Sequence, residues 1–368
     1  MTYGNVNVDT VTTSTPQGVL GAGNASIMKN RIINGAMVID QRNAGASVTV
    51  LTSTGYTLDR WKTSCDVSSK FSVQQNAGSV TPPIGFVNYL GVTSLSAYSV
   101  PSGEIYGLQH HIEGYNTADL QWGTANAKTV TLSFWVRSSL TGTFGGSFLN
   151  ATSDRSYPFT YTISSANTWT QISITVAGDT SGTWNTTNGR GIVVIFSLGT
   201  GTTYSGTAGS WSANNYQSAT GATSVVGTSG ATFYITGVQL EVGSSATGFE
   251  YVNYQTSLAN CQRYYQNQPS STNGYARYGM GLFSTSSLAD FQIRAIVQMR
   301  TAPSWTTSGS FRANSNSAYT ISSFGDRNQP NTWGIALYGN ISGATAGYAA
   351  SLEANNDVNA YIALSAEL

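Results

Sequence analysis

"TFYITGVQLEVG", residues 232–243, decides how this chain folds. Phe233 and Ile235 share one parity, while Val238 and Leu240 share the other. Successive residues of a strand face opposite sides, so a regular strand would turn one of these pairs toward water. A bulge near Thr236–Gly237 puts all four on one face, and glycine is the residue such a bulge admits. The stretch therefore reads as a buried strand closing a β domain. Just beyond it, "SLANCQRYYQ" (257–266) spaces Leu258, Cys261, Gln262 and Tyr265 at i, i+3, i+4 and i+7, which predicts a short helix serving as a domain joint.

The same alternation extends outward. In "TVTLSFWVR" (129–137), Val130, Leu132, Phe134 and Val136 point one way and Thr131, Ser133 and Trp135 the other. "TQISITV" (170–176) repeats the device with Ile172, Ile174 and Val176 inward. "GIVVIFSLG" (191–199) is apolar on both faces, as a central strand requires. The polar, glycine-rich run from 199 to 230 is longer than ordinary connections and so is a candidate functional loop. Beyond residue 267, "ARYGMGLF", "FQIRAIVQM", "TWGIALYGN" and "NAYIALSAEL" predict a second, smaller β-sandwich. Phe291, Ile293, Ala295 and Val297 alternate there, and Ile362 and Leu364 tie down the last strand.

Composition agrees with an all-β chain. Of 368 residues, 40 are Gly and only 9% are charged, with 16 basic and 16 acidic groups cancelling. Soluble domains average about 25% charged residues, so salt-bridged helices are excluded as the framework. The length suits two domains. Neutrality without a basic patch argues against nucleic acid, and no run of about 18 apolar residues predicts a membrane helix. Cys65 and Cys261 are expected to be buried thiols, not a bridge. The start, "MTYGNVNVDTVTTSTPQ", lacks the basic and apolar pattern of a signal peptide. An adhesin-like composition without that signal suits a virion protein assembled in a host cytoplasm and released by lysis. Residues 1–30 carry Val19, Leu20, Ile27 and Met28 without a sustained apolar face, and are expected to be an extended attachment segment ordered by a partner.

Chemistry-bearing motifs are sparse. In "QHHIEG" (109–114), His110 and His111 face opposite sides of a strand, and His111 with Glu113 supplies only two ligands. A polar strand edge is expected there, with no metal. Asp40, Asp59, Glu104, Glu113, Asp119 and Asp154 offer carboxylates, but no spacing singles out a hydrolytic pair. A Gly-x-Ser-x-Gly elbow and a phosphate-cradling glycine loop are both missing. The chain is therefore expected to be non-enzymatic. Saccharides are held by aromatic platforms with flanking polar groups. The candidates are Trp184, Tyr204, Trp211 and Tyr216 in the first domain, and Tyr275, Tyr278, Trp305, Tyr319 and Trp333 in the second. Trp211 leads because "AGSWSANNYQ" around it is polar and glycine-rich.

"NRIINGAMVIDQRNAG", "YTLDRW", "IEGYN", "VTLSFWVRSSLTGTF" and "FYITGVQLEVGSSATGFEY", followed by "LANCQRYYQ", together resemble a segment of bacteriophage tail-fibre and tail-associated proteins. The segment is similar to carbohydrate-binding jelly rolls of the family-4/9 type, and the resemblance covers roughly residues 29–266. The part ending "YIALSAEL" looks like the distal domain that follows in such phage chains. The resemblance implies a jelly-roll β-sandwich in a virion tail fibre, trimeric and in contact with host-surface glycans. Domains are expected as a 1–30 attachment segment to other tail proteins, a 31–255 jelly roll, a 256–266 helical joint and a 267–368 distal, receptor-contacting β-sandwich. A homotrimer also suits a charge-poor β protein, whose edges subunit packing can cover. Related modules hold a structural calcium near an acidic "DDV"; Thr236 and Gly237 stand at those positions here, so no cofactor is assigned. A capsid-attached fibre or decoration protein shares these features. A secreted glycan-degrading enzyme, or its binding module, is the alternative from another class.

Overall fold

The computed structural model describes residues 28–328 and 330–368, together with the backbone of Val11–Thr12 and Val19–Leu20, which pair antiparallel. The attachment segment expected over 1–30 lies almost wholly outside the described residues. The chain divides into two compact units, Met1–Tyr254 and Gln255–Leu368.

The first unit is a jelly-roll sandwich of two six-stranded sheets. Its strands are β1 (Val48–Thr49), β2 (Tyr56–Leu58), β3 (Trp61–Cys65), β4 (Phe71–Gln75), β5 (Leu90–Ser94), β6 (Ile105–Glu113) and β7 (Val130–Ser138). They continue as β8 (Gly142–Leu149), β9 (Ser156–Ile163), β10 (Thr170–Val176), β11 (Arg190–Thr200), the short parallel pair β12 (Ser205–Gly206) and β13 (Ser218–Ala219), and β14 (Thr232–Val242). One sheet runs β9-β8-β11-β6-β3-β2 and the other β10-β7-β14-β5-β4-β1. Val130, Leu132, Phe134 and Val136 all face the core, as their parity requires, and β11 is central and buried along nearly its whole length. The interior is aromatic: Phe134 meets Phe196 at 5.0 Å and Tyr161 at 5.1 Å, both edge-on.

The bulge in β14 is real and has a physical cause. The register against β7 shifts between Thr236 and Gln239, and Gly237 sits at φ +60°. Phe233, Ile235, Val238 and Leu240 all end in the core. Each such burial contributes roughly 1.5–3 kcal/mol, which outweighs the lost ladder hydrogen bonds. Val238 loses its ladder partners there, but its N–H donates to Gly35 O (2.9 Å) and its carbonyl accepts from Asn30 Nδ2 (3.1 Å). The "NRIING" stretch thus satisfies the backbone that the bulge exposes. Thr236 Oγ1 donates to Asn88 O at 2.7 Å, so that side chain is engaged within the fold.

The histidine pair departs from expectation. The strand that carries it, β6, is not an edge; it lies between β11 and β3, and both rings are buried. The His110 ring tilts against Trp61 at 5.2 Å, and its Nε2 faces the Ile33 N–H at 3.1 Å. Burial, with the Arg60 charge adding to it, holds His110 well below its usual titration range, so the ring is neutral. Cys65 and Cys261 are both thiols, the first partly buried and the second buried. No group of three or more potential metal-binding side chains occurs among the described residues.

Helix α1 (Tyr254–Gln262), all but its first residue in the second unit, is shorter than the expected 256–266. Tyr265 and Gln266 belong instead to strand β15 (Tyr265–Pro269). Gln266 pairs with Leu364, and its side-chain amide donates to Gln262 O and Val297 O, so sheet pairing ends the helix early. The remaining strands are β16 (Arg277–Phe283), β17 (Leu288–Arg294), β18 (Ser304–Ser308), β19 (Phe311–Asn314), β20 (Ala318–Ile321), β21 (Ser323–Asp326), β22 (Gly334–Asn340), β23 (Ala349–Ala354) and β24 (Tyr361–Ser365). The regular alternation over 291–297 stops at Arg294, where β17 ends. A three-stranded sheet, β15-β24-β18, and a seven-stranded sheet, β20-β19-β23-β16-β17-β22-β21, enclose one core. Ile362 and Leu364 are fully buried in it, facing residues such as Phe291, Leu337 and Leu352 of the larger sheet.

Candidate functional site

In the seven-stranded sheet, the alternation that buries Phe283, Phe291, Ile293 and Leu337 turns their neighbours outward. Met280 pairs with Gln292 and Leu282 with Asp290; Gln292 and Asp290 in turn pair with Ala336 and Tyr338. Met280 is 62% exposed and Leu282 47%, in the middle of a sheet. Scattered apolar residues on a surface are ordinary, but two adjacent ones on a sheet face mark a surface to examine. Gly281 lets β16 approach β17: a Cβ there would lie 1.6 Å from Asp290 O. On the outer face lies a depression of about 310 Å³, lined by Met280, Leu282, Asp290, Gln292, Arg327 and Ala336 among others.

Charge borders this floor on both sides. On one, Arg327 Nε donates to Asp290 Oδ1 at 2.6 Å, and its guanidinium lies over the Tyr338 ring at 4.6 Å. On the other, Glu353 is 2% exposed and gathers Arg277 Nε (2.8 Å), Arg312 Nη2 (2.7 Å), Ser351 Oγ (2.8 Å) and Asn314 Nδ2. Burial pushes the Glu353 carboxyl up, but the hydrogen bonds from Arg312, Ser351, Asn314 and Arg277 outweigh it and pull it down to about 2. The carboxylate is thus a fixed anchor that aims two guanidiniums along the sheet face.

Two of the sequence-selected aromatics border the outer side of this sheet, while Tyr278 in β16 and Tyr319 in β20 face its core side. Tyr275 lies just before β16 and its ring stacks on the Arg312 guanidinium at 4.6 Å. Trp333, 60% exposed, immediately precedes Gly334, the cross-strand partner of Arg294. Trp305 packs against the second core, with its Nε1–H directed to Asp326 Oδ2, and Tyr319 meets Phe283 edge-on at 5.1 Å. Tyr278 is buried beside Phe311.

In the first unit, Trp184 and Trp211 join Trp122 in a cluster with ring separations of 4.8, 5.3 and 5.5 Å. Their indole N–H groups are spent on Ser181 O and Ala177 O. Tyr216 lies against Gly206, whose Cβ would come within 2.2 Å of its ring, and Tyr204 is half-buried in a short turn. Trp211, against Trp122, Trp184 and Tyr157, ties the 199–230 segment to the sandwich.

Sequence reasoning missed Arg277, Arg294, Arg312 and Glu353. One signal was available: residues 255–368 hold six arginines and no lysine.

No family model and no curated protein matches the chain. Among solved structures, it is similar to bacteriophage CBA120 tailspike protein 4, enzymatically active domain, at 12% identity, covering 58% of this chain and 22% of that one with a TM-score of 0.30. A xylan-binding domain from Paenibacillus barcinonensis matches at 10% identity over 56% of this chain and 99% of its own, with a TM-score of 0.26. The family 11 carbohydrate-binding module of a Clostridium thermocellum cellulase matches at 12% identity over 57% and 100%, with a TM-score of 0.25. This chain thus spans about a fifth of the tailspike chain.

Proposed function

We propose that this chain is a non-enzymatic structural protein of a phage particle that attaches to saccharides on a host surface. In this reading the second unit carries the contact face, the jelly roll is the body of the fibre, and residues 1–30 join it to other tail proteins. The subunits assemble as a homotrimer. The observation that carries the reading is the open face of the seven-stranded sheet, where Met280 and Leu282 form an apolar floor flanked by Tyr275, Trp333 and hydrogen-bonding side chains. An apolar floor with a few fixed polar groups suits a sugar ring, which offers C–H faces and hydroxyls together.

A non-enzymatic role is supported by what the acidic residues do. Asp40 caps the backbone N–H groups of Asn43 and Gly45, Asp59 holds Gln41, Glu104 accepts from Tyr98 and Tyr106, and Asp119 pairs with Arg31. These carboxylates are committed to the fold, which leaves little for general acid or base work. A glycan array probed with the purified full chain tests the reading. Saccharide binding lost on Leu282→Asp is expected; binding to no saccharide, or release of reducing ends from bound glycan, overturns it.

A further inference from the structure

The open face of the second unit is built for an anionic saccharide, and we infer that its receptor is a glycan bearing carboxylate or phosphate groups. The inference rests on the glycan-binding reading above and adds the charge of the ligand. Four of the six arginines of residues 255–368, namely Arg277, Arg294, Arg312 and Arg327, stand on this sheet face. Among the described residues, Asp290 and Glu353 are the carboxylates that oppose them on this face, so four positive groups less two negative leave an excess of two. The whole chain carries 16 charges of each sign, so this is a local concentration.

Both carboxylates are already committed. Glu353 lies beneath two guanidiniums and Asp290 pairs with Arg327. Arg277 is 71% exposed and gives only its Nε to Glu353, which leaves its terminal N–H fork toward solvent. Arg294, exposed at the end of β17, pairs with no carboxylate among the described residues. It sits one pair beyond Met280–Gln292, at the same end of the sheet as Arg277 and beside Trp333. Guanidinium forks match planar carboxylate or phosphate oxygens in two-point contacts, which a lysine cannot do. The apolar floor then takes the ring face of the same sugar.

The full chain would be titrated with three polymers: polygalacturonate, a phosphomannan and neutral dextran. Wild type, Arg294→Glu and Arg277→Ala would be compared, with melting temperature as the fold control. Binding to either anionic polymer, weakened about tenfold or more by Arg294→Glu and by raising salt, is the expected result. Which of the two polymers binds assigns carboxylate or phosphate. Saccharide binding that dextran shares equally, and that Arg294→Glu leaves unchanged, overturns the anionic assignment while glycan binding itself survives. Binding to none of these polymers, nor to any array glycan, sinks both.

Discussion

Both units have a large sheet with an outer side, and they treat it in opposite ways. In the jelly roll, the outer side of the β8–β11 region is closed by the chain itself. The segment after β11 folds back so closely that a Cβ at Gly145 would lie 2.4 Å from Ser218 Oγ and 2.9 Å from Ala222 Cβ. Ser156 Oγ donates to Asn214 O, and Leu149, Val193 and Ile195 form a small buried cluster of their own. In the second unit no such segment among the described residues returns over Met280 and Leu282, and the arginines beside them are anchored on the buried Glu353. A covered face adds to stability. An open face of the same construction, with anchored arginines, is free to take a ligand.

The sharpest way to break this contrast is to place the same charge on both faces. Ile195→Asp buries an unpaired carboxylate at a position 2% exposed, and should cost about 3–5 kcal/mol in denaturant unfolding. Leu282→Asp, on the open face, should stay within about 0.5 kcal/mol of wild type. Equal losses at the two positions would mean that the second face is also covered. Next in size, Glu353→Gln should cost about 1–3 kcal/mol, because Arg277 and Arg312 lose a charged partner.

The same carboxylate gives the second unit a pH signature. Its folded value near 2 lies below the ordinary 4.5, so its stabilising contribution is full above about pH 4.5 and drains away as pH falls toward 2. Melting curves across that window should flatten in Glu353→Gln relative to wild type. A parallel acid decline in both proteins would remove Glu353 as the cause. A smaller loss than at Ile195 is expected at the jelly-roll bulge. Gly237→Ala forces a side chain into φ +60° and against the Phe86 ring, at a cost of about 1–2 kcal/mol by thermal unfolding.

What could be read from the sequence was local. Period-two patterning showed which residues of β7 and β10 face inward, β11 read only as apolar on both faces, and the parity switch at Thr236–Gly237 located the bulge in β14. Strand order was not legible, so "QHHIEG" read as an edge when β6 lies inside its sheet. The arginine face was hidden for the same reason. Arg277 and Glu353 lie 76 residues apart, and Arg312 and Glu353 lie 41 apart, so only the pairing of β16, β23 and β19 brings them together. Nor does composition tell an outward tryptophan from an inward one. Trp211 sits in a polar loop, yet its N–H is held by Ala177 O and its ring by two other indoles, while Trp333 is left outside.

We propose that the open, arginine-bordered sheet face of the second unit is where this protein meets a saccharide. Its most direct test is calorimetric titration of wild type and Leu282→Asp with a host-surface polysaccharide that the wild type binds. Leu282→Asp is expected to melt like wild type and to give no binding heat. A variant that binds with undiminished affinity would contradict it.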